Sequence, residues 1–263
     1  MKNIDVVVLH ESHPKPANMM MFGATLTQRG HLFKTGDDLK KYYNECMDKE
    51  YKSASAVAKL PHGTIKRNAT VTLAIVGASR RFLAQIRTHS VGLTFISASL
   101  QYSDYSGEAA FVIPYELSNA SDEIKNSYIK KCQNDIKFYE DLIKQGVDRD
   151  TAGYAMNQAL RNVLVITGNY EAWENLLKLR TCKRNTKETE YVCALIWEAL
   201  YNTTHGDVFF SEAGPGCVKS KCPEGKFCCG KPVFIKKLME EYNVTNPGTA
   251  YKLSEFPLLF TDK

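Results

Sequence analysis

The sequence contains no long apolar run. None of its segments approaches the ~20 consecutive apolar residues that a membrane-spanning helix requires. The apolar run near the first residue, residues 4–9, is also too short for a secretory signal peptide. We therefore expect a cytoplasmic protein without a membrane partner, whose eight cysteines stay reduced.

Charge of one sign is not concentrated anywhere in the sequence. The 34 Lys and Arg residues exceed the 29 Asp and Glu residues, giving a formal net charge of +5, but the basic residues are scattered. Nucleic-acid binding through phosphates needs a basic patch, so we expect no nucleic-acid partner. A mild positive excess suits small anionic ligands as well. A binding protein without enzymatic activity remains the alternative from another functional class.

Repeats, low-complexity tracts and interdomain linkers are also missing. The 263 residues, 44% hydrophobic and 24% charged, are therefore expected to form a single domain over residues 1–263. We predict an α+β fold, in which a small central antiparallel or mixed sheet is flanked by several helices. Sequence patterns predict strands at residues 4–9, 69–76 and 93–100, and helices at 18–28, 37–49, 79–89, 119–146, 150–166, 170–179 and 185–201.

A loop rich in Cys and Gly is predicted at residues 214–231. Four thiolates could hold a structural zinc ion. However, the Cys-x4-Cys-x5-Cys-Cys spacing departs from the usual closely paired ligands, and adjacent cysteines rarely bind one ion. We expect a Gly-rich turn with no metal, while zinc and a redox disulfide remain alternatives. The four thiols are those of Cys217, Cys222, Cys228 and Cys229.

Polar and charged residues suited to ligand binding concentrate between residues 79 and 106. A predicted helix is followed by a β-prone segment that ends in Ser-x-Ser-Leu-Gln-Tyr-Ser. Positions three and four apart are neighbours on a helix, so Gln85, Thr88 and His89 are expected near one face. Two adjoining elements would then offer donors to a phosphate and to a polar heterocycle. A solvated surface helix is the alternative interpretation.

Four ordered blocks over roughly residues 60–200 resemble the motifs of flavin-dependent thymidylate synthases. The family's His-x-Thr motif is matched by His-Gly-Thr at 62–64. Its Arg-His-Arg motif, preceded by Gln, is matched by Thr-His-Ser at 88–90 after Gln85. Its Ser-x-Arg-Tyr motif is matched by Ser-Leu-Gln-Tyr at 99–102. Its Asn-x-Arg and Leu-x-Leu-Arg motifs are matched by Asn-Tyr-Glu at 169–171 and Leu-Lys-Leu-Arg at 177–180.

This resemblance implies a reductive methylation of dUMP to dTMP in a homotetramer. FAD would be the cofactor, with NADPH and methylenetetrahydrofolate as cosubstrates. Flavin contacts are implied for His62, Thr64, Thr88, His89, Ser90, Asn169 and Asn175. Nucleotide contacts are implied for Gln85, Arg87, Ser97, Ser99, Leu100, Gln101 and Arg180.

Arg180 would be the catalytic residue. A cation facing the uracil stabilises negative charge on the N3/O4 side of the ring and so polarises its C5–C6 bond. Flavin-free thymidylate synthases instead use a cysteine in a Pro-Cys-His context. No such tripeptide occurs in this sequence, so we predict no cysteine nucleophile.

The match departs from the family pattern at positively charged positions. Thr88 and Ser90 flank the motif's His in place of two arginines, and Gln101, Gly153 and Glu171 replace three more. Charge-assisted hydrogen bonds are roughly twice as strong as neutral ones, so phosphate binding would need other cations.

Cations that could compensate are present nearby in the sequence, namely Arg80, Arg87 and Arg161. The alternative function keeps the fold but changes the activity. It is either a flavoenzyme for a different or modified pyrimidine nucleotide, or an inactive nucleotide-binding relative.

Overall fold

The β-branched segments of the chain assemble into one main sheet, around which the amphipathic segments pack as helices. The computed structural model describes residues 2–218, 221–253 and 259–260. The strands are β1 Lys2–Asn3, β2 Asp5–Glu11, β3 Thr70–Ser79, β4 Leu93–Ser97, β5 Val112–Ile113, β6 Arg161–Asn169 and β7 Leu259–Phe260.

Helices precede, separate and follow these strands. Those described are α1 Pro16–Arg29, α2 Gly36–Met47, α3 Ala54–Ala58, α4 Arg80–Ile86, α5 Tyr115–Ser118, α6 Asp122–Lys144, α7 Arg149–Ala152, α8 Tyr170–Arg180, α9 Lys187–Tyr201, α10 Gly206–Phe210, α11 Ile235–Tyr242 and α12 Pro247–Leu253. Short 3₁₀ turns lie at Gly30–Leu32, Gly63–Lys66, Gly153–Ala155 and Gly225–Phe227. Among these described helices, none combines the length and apolar character needed to cross a bilayer.

The main sheet has the strand order β2-β3-β6-β4, and its neighbouring strands are antiparallel. In the central pair Thr72 lies opposite Thr167, and their hydroxyls are 2.9 Å apart. A smaller sheet has the order β1-β7-β5. The predicted α+β fold with a small antiparallel sheet is confirmed.

The core lies between the main sheet and helices α8 and α9. Leu73 of β3 and Ile166 of β6 are fully buried, as are Trp173 of α8 and Trp197 of α9. Each indole satisfies its N–H group, since Trp173 donates to the Val71 carbonyl at 3.2 Å and Trp197 donates to the Phe210 carbonyl at 2.8 Å. This packing fixes α8, the helix that ends at Arg180.

Strand β6 corrects the predicted helix over residues 150–166. The helix ends at Ala152, and residues 161–169 form a strand in the middle of the sheet. Leu164 and Ile166 are buried while Val163 is exposed, which is the two-residue alternation of a strand. Residues 163–166 are nevertheless all apolar, and periodicity alone cannot distinguish such a short apolar run from a segment of a buried helix.

The predicted end of β3 at Gly77 is also wrong. The strand continues through a bulge at Gly77, whose φ of 98° is in the region that favours glycine, and it ends at Ser79. Ser79, the first residue of the helix predicted over 79–89, then caps α4, because its Oγ accepts from the Phe82 N–H at 3.1 Å. The Ser79 N–H and hydroxyl donate to the buried Glu188 carboxylate at 2.7 and 2.6 Å. The start of α4 is therefore anchored to α9.

Two predicted helix starts are displaced by a few residues. The longest helix begins at Asp122, capped by Ser121, and the separate short helix α5 precedes it. Helix α9 is capped by Thr186, whose Oγ1 accepts from the Thr189 N–H at 3.3 Å, so Asn185, where the helix was predicted to begin, lies outside it. The amide of Asn185 is consequently available for another role.

Candidate functional site

Arg180, the last residue of α8, lies where the separate sequence motifs meet. Its Nε donates to His89 Nε2 at 2.6 Å, and its Nη2 donates to Thr88 Oγ1 at 3.0 Å. Its Nη1 donates to Asn185 Oδ1 at 3.3 Å. The guanidinium is thus held in one orientation by the Thr-His-Ser motif and by Asn185, which precedes α9.

Because His89 Nε2 accepts a hydrogen bond from Arg180, that nitrogen carries no proton. The imidazole is therefore neutral, with its proton on Nδ1. Burial lowers the pKa of His89 below its ordinary value, and the charge of Arg180 lowers it further. Both effects disfavour an imidazolium beside the guanidinium. Arg180 is therefore the cationic member of this pair.

Gln85 connects the Thr-His-Ser motif to α9. Its side-chain Oε1 accepts from the Thr189 hydroxyl at 2.8 Å, and its main-chain carbonyl accepts from the Thr88 hydroxyl at 2.8 Å. Arg180 Nη2 also approaches that carbonyl at 3.5 Å. The predicted nucleotide residue Gln85 and the predicted catalytic residue Arg180 are thus parts of one network.

The N-terminal end of α8 brings in Asn169. Its Oδ1 accepts from the Ala172 N–H at 2.9 Å, which makes it the N-cap of the helix. Gly92 lies directly against this cap, because a Cβ at Gly92 would be 2.9 Å from both Asn169 Nδ2 and Ala172 Cβ. The chain that follows the Thr-His-Ser motif therefore passes over the start of α8 before it enters β4.

The His-Gly-Thr block also lies against α8. Gly63 leaves no room for a side chain, because a Cβ there would clash with the carboxylate of Glu171. That carboxylate forms an ion pair with Arg67, which lowers the pKa of Glu171 and raises the pKa of Arg67. Glu171 replaces a family arginine, yet the ion pair places a guanidinium beside it.

The remaining predicted flavin residues are solvent-exposed. His62 and Thr64 flank Gly63, Ser90 follows His89, and Asn175 lies on α8. Asn175 lines a cavity of about 430 Å³ together with Pro61 and Lys66, a lysine that is buried in an ion pair with Glu174. The seven predicted flavin residues all lie on α8 or on segments that contact it or Arg180.

The predicted nucleotide segment leaves the end of β4. Arg87 Nη2 donates to Ser97 Oγ at 3.0 Å, which ties the end of α4 to the end of this strand. The strand ends at Ser97, and Ser99 then forms a turn in which its Oγ accepts from the Gln101 N–H at 3.1 Å. Ser99 and Gln101 therefore lie on a turn, not on the predicted continuation of the strand.

Gly153 lies against this turn. A Cβ at Gly153 would be 3.1 Å from Leu100 Cβ, so a side chain at position 153 would be directed at the predicted nucleotide segment. This is where the family places an arginine, and here the position is buried and has no charge. Gly153 therefore provides no charge beside Leu100.

Polar atoms without partners are buried near the same segment. Within the described residues, Arg80 Nη1, Tyr105 Oη and Asn162 Oδ1 are buried and form no hydrogen bond. Asn162 Nδ2 donates to the Ala98 carbonyl at 3.4 Å, and burial raises the pKa of Tyr105 while the Arg80 charge opposes that rise. Such groups are costly unless a ligand or water completes them. The charge of Arg80 thus lies beside Tyr105, four residues after Gln101 in the chain.

A cysteine nucleophile is not favoured by this arrangement. The Cys193 thiol is fully buried in α9, and burial raises its pKa although Arg180 opposes the change. Burial likewise raises the pKa of Cys182, which follows α8. Both sulfurs are therefore protonated near neutral pH, whereas the thiolate is the nucleophilic form.

Sequence reasoning did not identify three residues that support this site. Asn185, Thr189 and Arg67 all lie outside the four motifs. Their contacts with Arg180, Gln85 and Glu171 arise only when separate elements pack together. The sequence contains one local signal for the role of Asn185. Thr186 can cap α9, so the side chain of Asn185 is not needed for that cap.

Comparisons with known proteins agree with this arrangement of motifs. A family model described as thymidylate synthase complementing protein matches residues 8–204. The flavin-dependent thymidylate synthase of Geobacter sulfurreducens is 25% identical over 189 residues, which cover 72% of this chain and 80% of that protein. The flavin-dependent thymidylate synthase of Thermococcus onnurineus is 29% identical over 174 residues, which cover 63% of this chain and 69% of that protein.

Solved structures share the fold at low sequence identity. The UMP/dUMP methylase PolB from Streptomyces cacaoi, bound with 5-Br dUMP, has a TM-score of 0.59 at 16% identity, covering 80% of this chain and 95% of that chain. Thymidylate synthase ThyX from Helicobacter pylori, complexed with FAD and dUMP, has a TM-score of 0.58 at 18% identity. The match covers 80% of this chain and 99% of that chain.

Proposed function

The chain belongs to the family of flavin-dependent thymidylate synthases, and on this premise we propose that it converts dUMP to dTMP by FAD-dependent reductive methylation. NADPH and methylenetetrahydrofolate are its cosubstrates in this proposal. The observation that carries it is the junction at Arg180, where the guanidinium at the end of the Leu-Lys-Leu-Arg motif contacts Thr88 and His89 of the Thr-His-Ser motif and also Asn185.

Arg180 is proposed to polarise the uracil. Its charge is not neutralised by a carboxylate in the contacts described above, since His89, Thr88 and Asn185 are all neutral acceptors. The guanidinium therefore keeps its full charge while its orientation is fixed, which is the preorganisation that stabilises developing negative charge. The neutral state of His89 is part of this arrangement.

The residues along α8 fit a flavin in their chemistry. Hydroxyl, amide and imidazole groups at Thr64, Ser90, Asn175 and His62 are exposed, as contacts to a ring edge, a ribityl chain and a pyrophosphate require. When bound, FAD would supply hydride transfer, and the chain's residues would hold and orient it. Arg67, beside Glu171, adds a cation to this surface.

The nucleotide is proposed to bind between α4 and the turn after β4. Gln85, Arg87, Ser97, Ser99, Leu100 and Gln101 supply the contacts in this proposal. The Arg87–Ser97 hydrogen bond already links the two elements, and Arg87 is the cation closest in sequence to the motif. A charged donor to the phosphate would offset the neutral residues at Gln101 and Gly153.

A flavin titration tests the proposed function. Purified protein is expected to bind FAD, and the absorption spectrum of the bound flavin should change when dUMP is added, because the uracil would pack near it. A protein that takes up no FAD would contradict the proposal. The flavin spectrum without nucleotide serves as the reference.

A second candidate function keeps the flavin and changes the nucleotide. The observation that favours it is the missing charge at Gly153, the position directed at Leu100. We test it by offering a panel of pyrimidine nucleotides, including UMP and modified deoxyuridylates, and measuring product masses. Methylation of dUMP faster than every other nucleotide would exclude this candidate.

A further inference from the structure

Five of the eight cysteines line one cavity of about 230 Å³ between the end of α8 and the loop before α11. They come from distant parts of the chain. Cys182 follows α8, whereas the other four lie in the predicted Cys/Gly-rich loop. The five are Cys182, Cys217, Cys222, Cys228 and Cys229. The structure thus places Cys182 with the four loop cysteines, a grouping that the spacing of cysteines in the sequence does not indicate.

Four of these sulfurs accept a hydrogen bond from the backbone N–H two residues further along the chain. The N–H of Gly230 donates to Cys228 Sγ and that of Lys231 donates to Cys229 Sγ, both at 3.4 Å. The N–H groups of Arg184 and Glu224 likewise hydrogen-bond Cys182 and Cys222. Hydrogen bonds of this kind favour the thiolate over the thiol and are the outer contacts that orient sulfur ligands of a metal.

The thiols also lie close to one another. Cys222 hydrogen-bonds Cys228, and Cys228 hydrogen-bonds Cys229. Cys182 lies near Cys229 and Cys217. Thiolates at such short separations would repel one another, and a divalent cation among them would remove that repulsion.

The surroundings of the cavity are positively charged. Lys178, Lys183, Arg184 and Lys231 line it, with Glu224 as the acidic residue of the lining. A divalent ion bound by four thiolates is net negative, so this excess of cations suits it. The loop also lacks a core, because no described residue from 221 to 232 is buried. A crosslink would supply the stability that burial does not.

We propose that this cavity is a structural zinc site, in which Cys182, Cys217, Cys222 and one thiol of the adjacent pair Cys228–Cys229 bind one Zn²⁺. Zinc fits because four thiolates in a closed tetrahedral set are its usual structural environment. Binding converts four thiols to thiolates and releases their protons to solvent. Across the described residues no three such side chains are already arranged around an ion, so binding would require these sulfurs to move closer together.

The site would also support the proposed catalytic residue. Asn185 Nδ2 donates to the Cys182 carbonyl at 2.9 Å, and Asn185 Oδ1 accepts from Arg180 at 3.3 Å. An ion bound to Cys182 would therefore hold the turn that orients Arg180. A disulfide would use only two of the five thiols and would leave the N–H donors on the others unexplained.

Metal analysis of the full chain tests the proposal. Protein purified with zinc and dialysed against metal-free buffer is expected to keep one zinc per chain. The variants Cys182→Ser and Cys217→Ser should each lose it, and Cys46→Ser, which alters a buried thiol outside the cavity, should keep it. Of Cys228→Ser and Cys229→Ser, one should lose zinc and the other retain it.

A second readout covers variants that fail to fold. Wild-type protein loaded with Co²⁺ should show thiolate-to-cobalt charge-transfer absorption, and a chelator should make four additional thiols reactive to a thiol reagent. Absence of zinc and cobalt binding, equal zinc in Cys217→Ser and wild type, or a mass loss showing a disulfide among these thiols would overturn the proposal. None of these measurements depends on flavin or dUMP, so they are independent of the proposed function.

Discussion

Arg180 shows how a single residue acquires a role through its neighbours. Its position in the sequence indicated a cation at the end of an apolar helix, and the family motif indicated the uracil. The contacts that fix its orientation come from His89, Thr88 and Asn185, and of these only the first two could be predicted. Asn185 could not, because its side chain becomes available only when Thr186 caps α9.

Replacing Arg180 by Ala should lower turnover of dUMP by roughly 10²–10³-fold, the loss typical for removal of one preorganised electrostatic contact. Flavin content should stay unchanged, since Arg180 is proposed to face the nucleotide. Arg180→Lys should recover part of the lost turnover, because lysine keeps the positive charge but cannot form the several hydrogen bonds of the guanidinium. Steady-state kinetics with Arg29→Ala, an exposed arginine at the end of α1, as control measure this. Equal turnover of Arg180→Ala and wild type would exclude the assigned role.

The neutral state of His89 makes stability depend on pH. Its pKa is lowered in the folded protein from 6.5. As the pH falls below about 6.5, the unfolded chain takes up a proton that the folded protein resists, so the folded state is destabilised until its own lowered pKa is passed. Above that window the His89 contribution is fully present. Denaturant unfolding from about pH 8 to about pH 5 should show a steeper loss for wild type than for His89→Gln. Parallel curves would contradict the neutral assignment.

Helix α8 is the element on which the site is built, and its limits were predictable from local signals. Asn169 as a cap and the apolar spacing of the helix appear in the sequence, as does the cap at Ser79. The neighbouring strand β6 was not predictable from the same kind of signal. Its apolar residues at 163–166 are compatible with a helix, and only pairing with β3 and β4 decides the outcome.

Substitutions at Asn169 separate the helix cap from a flavin contact. Asn169→Ala should lower the free energy of unfolding by about 1 kcal/mol, because the N-cap acceptor is lost. Asn169→Asp keeps an acceptor for the Ala172 N–H but loses the amide donor. If the amide binds FAD, both variants should bind it more weakly while only the Ala variant is less stable. Wild-type flavin affinity in Asn169→Asp would show that the residue serves only the helix.

At the scale of the molecule, several residues proposed to bind the ligands lie on an open surface of the described chain. The flavin residues His62, Thr64, Ser90 and Asn175 are exposed, and the nucleotide turn lies at the surface end of β4. Subunit interfaces would cover these open surfaces, in line with the closed symmetric assemblies of most oligomeric enzymes. The sequence predicted this assembly only through the family resemblance, since no pattern in a single chain specifies a symmetry.

We predict a homotetramer in which each flavin contacts more than one chain. Sedimentation equilibrium should give four times the 29.6 kDa chain mass. Mixing subunits that carry Arg180→Ala with subunits that carry Asn175→Ala should restore part of the activity, because some hybrid sites would draw both wild-type residues from different chains. An active monomer that retains FAD would contradict the prediction.

The most direct measurement of the central proposal is the product formed from dUMP. Protein incubated with FAD, NADPH, methylenetetrahydrofolate and dUMP should yield dTMP, identified by mass, and omission of the folate should abolish the product. Replacing Arg180 by Ala should suppress product formation without removing the flavin. Failure of the flavin-loaded wild-type protein to methylate dUMP would contradict the account.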